Sequence, residues 1–206
     1  IFSLFSIVLT ISLGIWQLNR LEWKQSIINT FEETSSKSPV GLQFAEKTEF
    51  LKIKIDAKIN RQYKIFFPAK TLNGKSGFRL ASILQTIENE NILIDEGWYD
   101  QDKHQYFLKN DKIFSKEIIG YIRFPRVAKL FTPKNNFTTN EWYTYNLKEI
   151  EKFLGIKINQ KYFIKNMSSL NEPFLVPSEL TPTFRNNHLQ YAITWFVMSF
   201  AFFVLF

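Results

Sequence analysis

The sequence predicts an α+β protein in which two transmembrane helices flank a strand-rich, mainly antiparallel extramembrane domain with one or two helices. Three observations predict it. The 206 residues hold 26 Lys+Arg and 19 Asp+Glu, all of them between Arg20 and Arg185. Residues 1–19 and 189–206 are therefore uncharged, while the interior is charged like an ordinary soluble domain. At 1.5 Å per residue, an 18-residue apolar end covers roughly 27 Å of a hydrocarbon core roughly 30 Å thick. Within the interior, Leu51, Ile53, Ile55, Ala57 and Ile59 alternate with Lys52, Lys54, Asp56 and Lys58, the period of a half-buried strand. The expected divisions are residues 1–19, 20–188 and 189–206.

The elements follow in order. Ile1–Leu18 forms the first span, with Trp16 at the level of an aromatic belt. A signal peptide is disfavoured, because no A-x-A-like site precedes Trp16-Gln17-Leu18-Asn19-Arg20. Leu21–Glu33 continues the helix until Ser35-Ser36-Lys37-Ser38-Pro39 breaks it. Phe50–Ile59 is a strand, Tyr63–Phe67 a second one stopped by Pro68, and Asn73-Gly74 a turn. Phe78–Ile87 and Ile92–Tyr99 pair around Glu88-Asn89-Glu90-Asn91. Glu117–Phe124 is a strand stopped by Pro125. Asn146, with Glu149 three residues on and Gly155 at the far end, frames a helix. Lys161–Lys165 is a late strand. Pro173, Pro177 and Pro182 make an extended tether into Leu189–Phe206, which is apolar on every face from Trp195 onward apart from Ser199, unlike a core helix. The chain opens without Met and closes in an apolar run, so both ends are expected to be trimmed. Two spans put both ends on one side of the bilayer. Arg20, Lys24 and Arg185 pull the domain toward the cytoplasm, but long loops obey that rule poorly, so charge leaves the orientation open.

Composition removes several chemistries. Without cysteine there is no disulfide, thiol nucleophile, Cys-ligated zinc or iron–sulfur cluster. Two histidines cannot supply a three-His zinc site. The net charge of +7 is scattered, which gives no nucleic-acid footprint and suits a domain held beside anionic lipid. No nucleotide, metalloprotease or hydrolase motif occurs, so the chain is not expected to be an enzyme. Glu88 and Glu90, and Asp95 and Glu96, read as solvated or turn carboxylates that point to opposite sides of a strand. His104 reads as a surface residue of the polar loop Asp100–His104.

His188 stands apart, because an ionisable group at a membrane boundary is a functional candidate. On a helix His188, Tyr191, Ala192, Trp195 and Ser199 share a face. The first span offers a matching stripe of Ser3, Ile7, Thr10, Gly14 and Gln17, with Gln17 at the depth of His188. One reading is a histidine that snorkels to the headgroups or bonds across to the first span. The other is a shallow pocket for an exchangeable haem, ligated through His188 Nε2 and stacked on Tyr191 or Trp195. Met198, nearly three turns away, cannot reach the same iron.

Gly14-Ile15-Trp16-Gln17-Leu18-Asn19-Arg20-Leu21-Glu22-Trp23-Lys24 and Asn186-Asn187-His188-Leu189-Gln190-Tyr191-Ala192-Ile193-Thr194-Trp195-Phe196 resemble the two end signatures of the surfeit locus protein 1 (Shy-type) family. Gly97-Trp98, Arg123-Phe124-Pro125 and Asn140-Glu141-Trp142-Tyr143 fall between them in the family's order. The resemblance implies a cytochrome c oxidase assembly factor that assists haem a delivery to the haem–copper subunit. It implies the bacterial or mitochondrial inner membrane, with the domain on the periplasmic or intermembrane-space side. It also implies His188 as the haem-iron ligand; Gln17, Tyr191 and Trp195 are placed around it by helical spacing alone. The partners expected are the haem–copper subunit, the lipid bilayer and haem a synthase. The sequence departs from the family in carrying Glu96 where a basic residue often precedes the Gly-Trp pair, and Asp100 where a proline often follows. Gly97 reads as a backbone requirement such as positive φ. The rivals are a scaffold that stabilises an assembly intermediate without binding haem, an enzyme acting on haem or lipid, and a two-span sensor.

Overall fold

Nothing charged interrupts the chain before Arg20, and the expected continuation of the first helix is met: α1 runs unbroken from Phe2 to Ser35 and stops at the serine–proline breaker. The computed structural model describes residues 2–126, 128, 131–180 and 186–205. They form a helical unit, built from α1 up to Glu33 with α4 (His188–Val204), and a β domain, Thr34–Leu180. Among the described residues, Leu4–Ser35 is long and apolar enough to cross a membrane, whereas α4 is a shorter apolar helix. Its 17 residues extend roughly 26 Å at the helical rise. The hydropathy reading expected two spans; length and composition give one helix that could span and one shorter apolar helix. Pro182 and Arg185, used in the tether and charge arguments, lie outside the described residues, as does the Ser3 side chain.

The β domain contains β1 (Val40–Gly41), β2 (Lys52–Leu72), β3 (Lys75–Gln85), β4 (Asn91–Asp100), α2 (His104–Leu108), β5 (Ile113–Arg123), α3 (Leu147–Leu154) and β6 (Phe163–Asn166). β2 pairs antiparallel with β3 on one flank and with β5 on the other; β3 pairs antiparallel with β4, β4 parallel with β6, and β6 antiparallel with β5. The five strands thus close into a ring, with β1 added parallel to β2. The predicted alternation in β2 holds: Leu51, Ile53, Ala57 and Ile59 are buried, and Lys54, Asp56 and Lys58 are exposed. Ile53 and Ile59 join Leu84, Ile92, Ile94, Ile118, Ile122 and Ile164 in one apolar cluster drawn from all five strands. A second cluster on the other face sits under α3, whose Leu147 and Ile150 meet Ile65, Phe67, Ile83, Leu93 and Trp142. The predicted caps of α3 are present: Asn146 Oδ1 accepts the Glu149 amide at 3.4 Å, and Gly155 takes φ +67°.

Three local readings change. β2 does not stop at Pro68, which sits opposite Phe78 in the ladder. β5 pairs with β2 only from Lys52 to Asn60, so β2 is an edge strand at Pro68, and there the missing N–H needs no partner. The hairpin turns instead at Asn73 (φ +50°) and Gly74 (φ +80°), the positive-φ pair of a two-residue loop. His104 is not a free surface residue but a half-buried one. It opens α2, lies nearly parallel over Phe78 with centroids 4.4 Å apart, meets Phe66 edge-on, and sits 2.8 Å from the Tyr99 hydroxyl through Nδ1. Burial lowers its pKa, against a weaker opposing pull from Glu141.

The largest correction concerns Asp95 and Glu96. They do point to opposite faces, but both are 0% exposed. Arg79 Nε donates to the Asp95 oxygens at 2.7 and 2.9 Å, the Tyr145 hydroxyl donates at 2.7 Å, and Lys165 lies at 3.3 Å. Burial by itself would raise the Asp95 pKa; the charges of Arg79 and Lys165 outweigh it and hold the carboxyl below its ordinary value. On the other face, Glu96 accepts from Arg61 Nη2 at 2.7 Å and from Ser82 Oγ at 2.6 Å, while Arg61 Nη1 reaches Glu172 at 2.5 Å. Glu96 is the extra residue of a bulge, because Leu80 pairs with Gly97 and Ala81 with Asp95. Gly97 completes the bulge at φ +150°, where a Cβ would run into the carbonyl oxygen of Val176. Val176 and Trp98 exchange backbone bonds of 2.7 Å there, so the segment after β6 is clamped across the bulge.

Gly97→Ala adds both strain and a steric clash, and is expected to cost the full chain about 2–4 kcal/mol in denaturant unfolding followed by tryptophan fluorescence. A loss under about 1 kcal/mol would show that the bulge adapts. The depressed pKa of His104 gives a second expectation. As pH falls below about 6.5, the unfolded chain takes a proton that the folded one refuses, so stability drops between about pH 7 and 5. In parallel unfolding curves, His104→Phe should flatten that drop.

Candidate functional site

The residues singled out for chemistry lie in the helical unit. α1 and α4 meet through small and hydroxyl side chains: Thr10, Ala192 and Ser199 are buried, and the Ser199 hydroxyl approaches the Ile7 carbonyl at 3.5 Å. Thr10 satisfies its own hydroxyl on the Ser6 carbonyl at 2.8 Å, so it adds no polar cost to the seam. Gly14 is the point of closest approach. A Cβ there would lie 2.5 Å from the Phe196 ring, so the missing side chain lets that ring rest on the α1 backbone. The stripe reading noted Gly14 but not Phe196; a small residue opposite a large one was the available signal.

One turn beyond Gly14, Gln17 meets His188. Gln17 Oε1 and His188 Nδ1 are 2.8 Å apart, both half-buried. With the amide oxygen facing the ring, as placed, it can only accept, which assigns the hydrogen to Nδ1 and leaves the lone pair to Nε2 in the neutral ring. This is the tautomer that can ligate a metal through Nε2, with its other nitrogen held by a neighbour. The remaining predicted residues are placed differently. Tyr191 is 54% exposed on the outer flank of α4. Trp195 is half-buried. Their shared helical face is split by packing, which takes Ala192 and Ser199 into the seam and leaves the aromatic rings beside it.

The donor set fits a single-ligand iron site. It offers one imidazole held by a neighbour and, two residues upstream, a buried Asn186 Oδ1 with no donor among the described residues. Among the described residues no cluster of three His, Asp or Glu could hold a bare metal ion. Open clefts of about 650 and 290 Å³ lie instead in the β domain, around Arg126, Lys134 and Lys148 and around Arg123 and Lys165. Three of their cations are already committed, Arg123 and Arg126 to Glu49 at 3.0 and 3.4 Å and Lys165 to Asp95.

The SURF1 family model matches residues 4–200. A "SURF1-like protein" of Rickettsia conorii is 28% identical over 214 residues, covering 100% of this chain and 88% of its own length. One of Rickettsia prowazekii is 30% identical over 201 residues, covering 94% and 81%. Human "Surfeit locus protein 1" is 24% identical over 215 residues, covering 93% and 71%.

The seam has a direct test, because the chain has no thiol of its own. Gln17→Cys with His188→Cys should be bridged efficiently by a short bifunctional thiol reagent. Adding Gly14→Leu should cut the bridged fraction several-fold; an unchanged fraction would show that the helices do not pack through Gly14.

Proposed function

This chain belongs to the SURF1 family, and we propose that it is a membrane-anchored assembly factor, not an enzyme, that assists haem a delivery to the haem–copper subunit of cytochrome c oxidase. One observation carries the haem part of the reading: the Gln17–His188 bond, which leaves Nε2 free as an iron ligand at the charged end of the apolar helices. Haem a is cargo here, and if bound it would supply an iron that an imidazole nitrogen can ligate. His188 offers that donor, Gln17 orients the ring, and Trp195 and Tyr191 give apolar flanks for a porphyrin edge. A single neutral axial ligand on a half-exposed site suits cargo that has to leave.

The long apolar helix α1 supports the anchor, and the apolar α4 acts as a second span in this reading. The β domain is the part that docks the haem–copper subunit. It faces the periplasm or the intermembrane space, with the anchor in the bacterial or mitochondrial inner membrane, and haem a synthase is the donor. A second reading has its own support. The seam is filled at Gly14 by Phe196, as helices packed only for stability would be. In that reading the protein is a scaffold that holds an oxidase assembly intermediate and carries no haem.

Purification of the full chain in mild detergent from cells that make haem a separates the two. The carrier is expected to show a Soret band that falls at least tenfold in His188→Ala, with the denaturation midpoint unchanged. Wild-type protein that supports oxidase assembly yet carries no band is the scaffold.

A further inference from the structure

We infer that Gln17 is a positioning residue that sets how strongly His188 grips iron, and that its being an amide makes this a releasing site. The inference rests on the haem-carrier reading and deepens it. The bond at 2.8 Å joins two helices and fixes which nitrogen of His188 carries hydrogen. Histidines that ligate metals usually hand their second N–H to a carboxylate or a carbonyl, and that partner tunes the basicity of the ligating nitrogen. A carboxylate draws the shared hydrogen hardest, since charge-assisted bonds are roughly twice as strong as neutral ones. Here the acceptor is neutral. α4 contains no acid, and the first acid on α1 is Glu22, more than a turn beyond Gln17 and exposed. The ligand is therefore oriented without being strengthened.

Packing alone does not account for the pair. The seam is already fastened deeper in the helices, by Phe196 on Gly14 and by the buried Thr10, Ala192 and Ser199. Gln17 and His188 are half-exposed at its end, where a bond adds little to helix association. What the bond does determine is the direction of the imidazole and the side from which Nε2 can be approached.

The test uses the full chain in detergent, haem-free and haem-loaded. Nitrogen-15 histidine spectra come first and need no variant. Only two histidines exist, and His104→Phe assigns them. At a pH where the ring is neutral, His188 should show a pyrrole-type Nδ1 and a pyridine-type Nε2. In Gln17→Leu the signal should move toward the mixture of a free imidazole. A wild-type His188 protonated on Nε2 overturns the inference outright. In the loaded protein, Gln17→Glu should slow haem loss to haem-free myoglobin by about 10- to 100-fold and move the reduction potential in the negative direction. Gln17→Leu should speed the loss. Wild-type binding with both variants unchanged in dissociation and potential sinks the role of Gln17 and spares the carrier. Wild-type protein that binds no haem sinks both.

Discussion

The β domain depends on β2 pairing along both flanks. Lys52–Asn60 pairs with β5 and Lys58–Leu72 pairs with β3, so the ring closes because this one strand serves both neighbours, overlapping from Lys58 to Asn60. Closure removes the open edges that a five-stranded sheet would otherwise present, and it encloses one face of every strand. Charges caught in the closed structure then have to be neutralised where they stand. Arg61 answers Glu96 and Glu172, and Arg79 with Lys165 answers Asp95. Removal of one partner would leave a bare charge in a low-dielectric interior, a loss of about 3–5 kcal/mol. The bulge at Glu96 and Gly97 fits this arrangement. It inserts one residue, turns two adjacent acids to separate networks, and makes room for the carbonyl of Val176.

The helical unit meets the same constraint among apolar side chains. Few polar groups are at hand along α1 and α4, so polar side chains turn to their own helix or to the helix beside them. Thr10 turns back on Ser6, Ser199 reaches Ile7, and Gln17 meets His188. The first two contacts use up the polarity they bring. The third joins the two helices through an imidazole, whose second nitrogen the bond does not use.

Much of this was legible locally. The uncharged ends, the strand alternation from Leu51 to Ile59, the Asn73-Gly74 turn and the Asn146 cap are written in residues two to four positions apart, and each appears where the pattern puts it. Pro68 misled because a proline stops a strand only where its N–H is needed, and whether β2 has a neighbour at that point depends on where β5 ends. Asp95, Glu96 and His104 misled for a related reason. Read singly they are polar and belong in water; the full burial of the two acids and the half-burial of the imidazole follow from partners the sequence does not mark as such. His188 and Gln17 were both visible as polar residues at similar depth, yet depth alone does not tell a bonded pair from two separate snorkelling groups.

The sequence by itself determined where the apolar helix ends, which strand faces are apolar and where the chain turns, because those properties depend on intervals of two, three or four residues. Only the tertiary structure decided that the sheet closes, that Arg61 joins Glu96 and Glu172 across 35 and 111 residues, and that the imidazole of His188 meets an amide 171 residues upstream. The physical reason is range. A periodic pattern is set by neighbours along the chain, whereas the energy of a buried charge or an oriented ring is set by whichever group folding brings within about 3 Å of it.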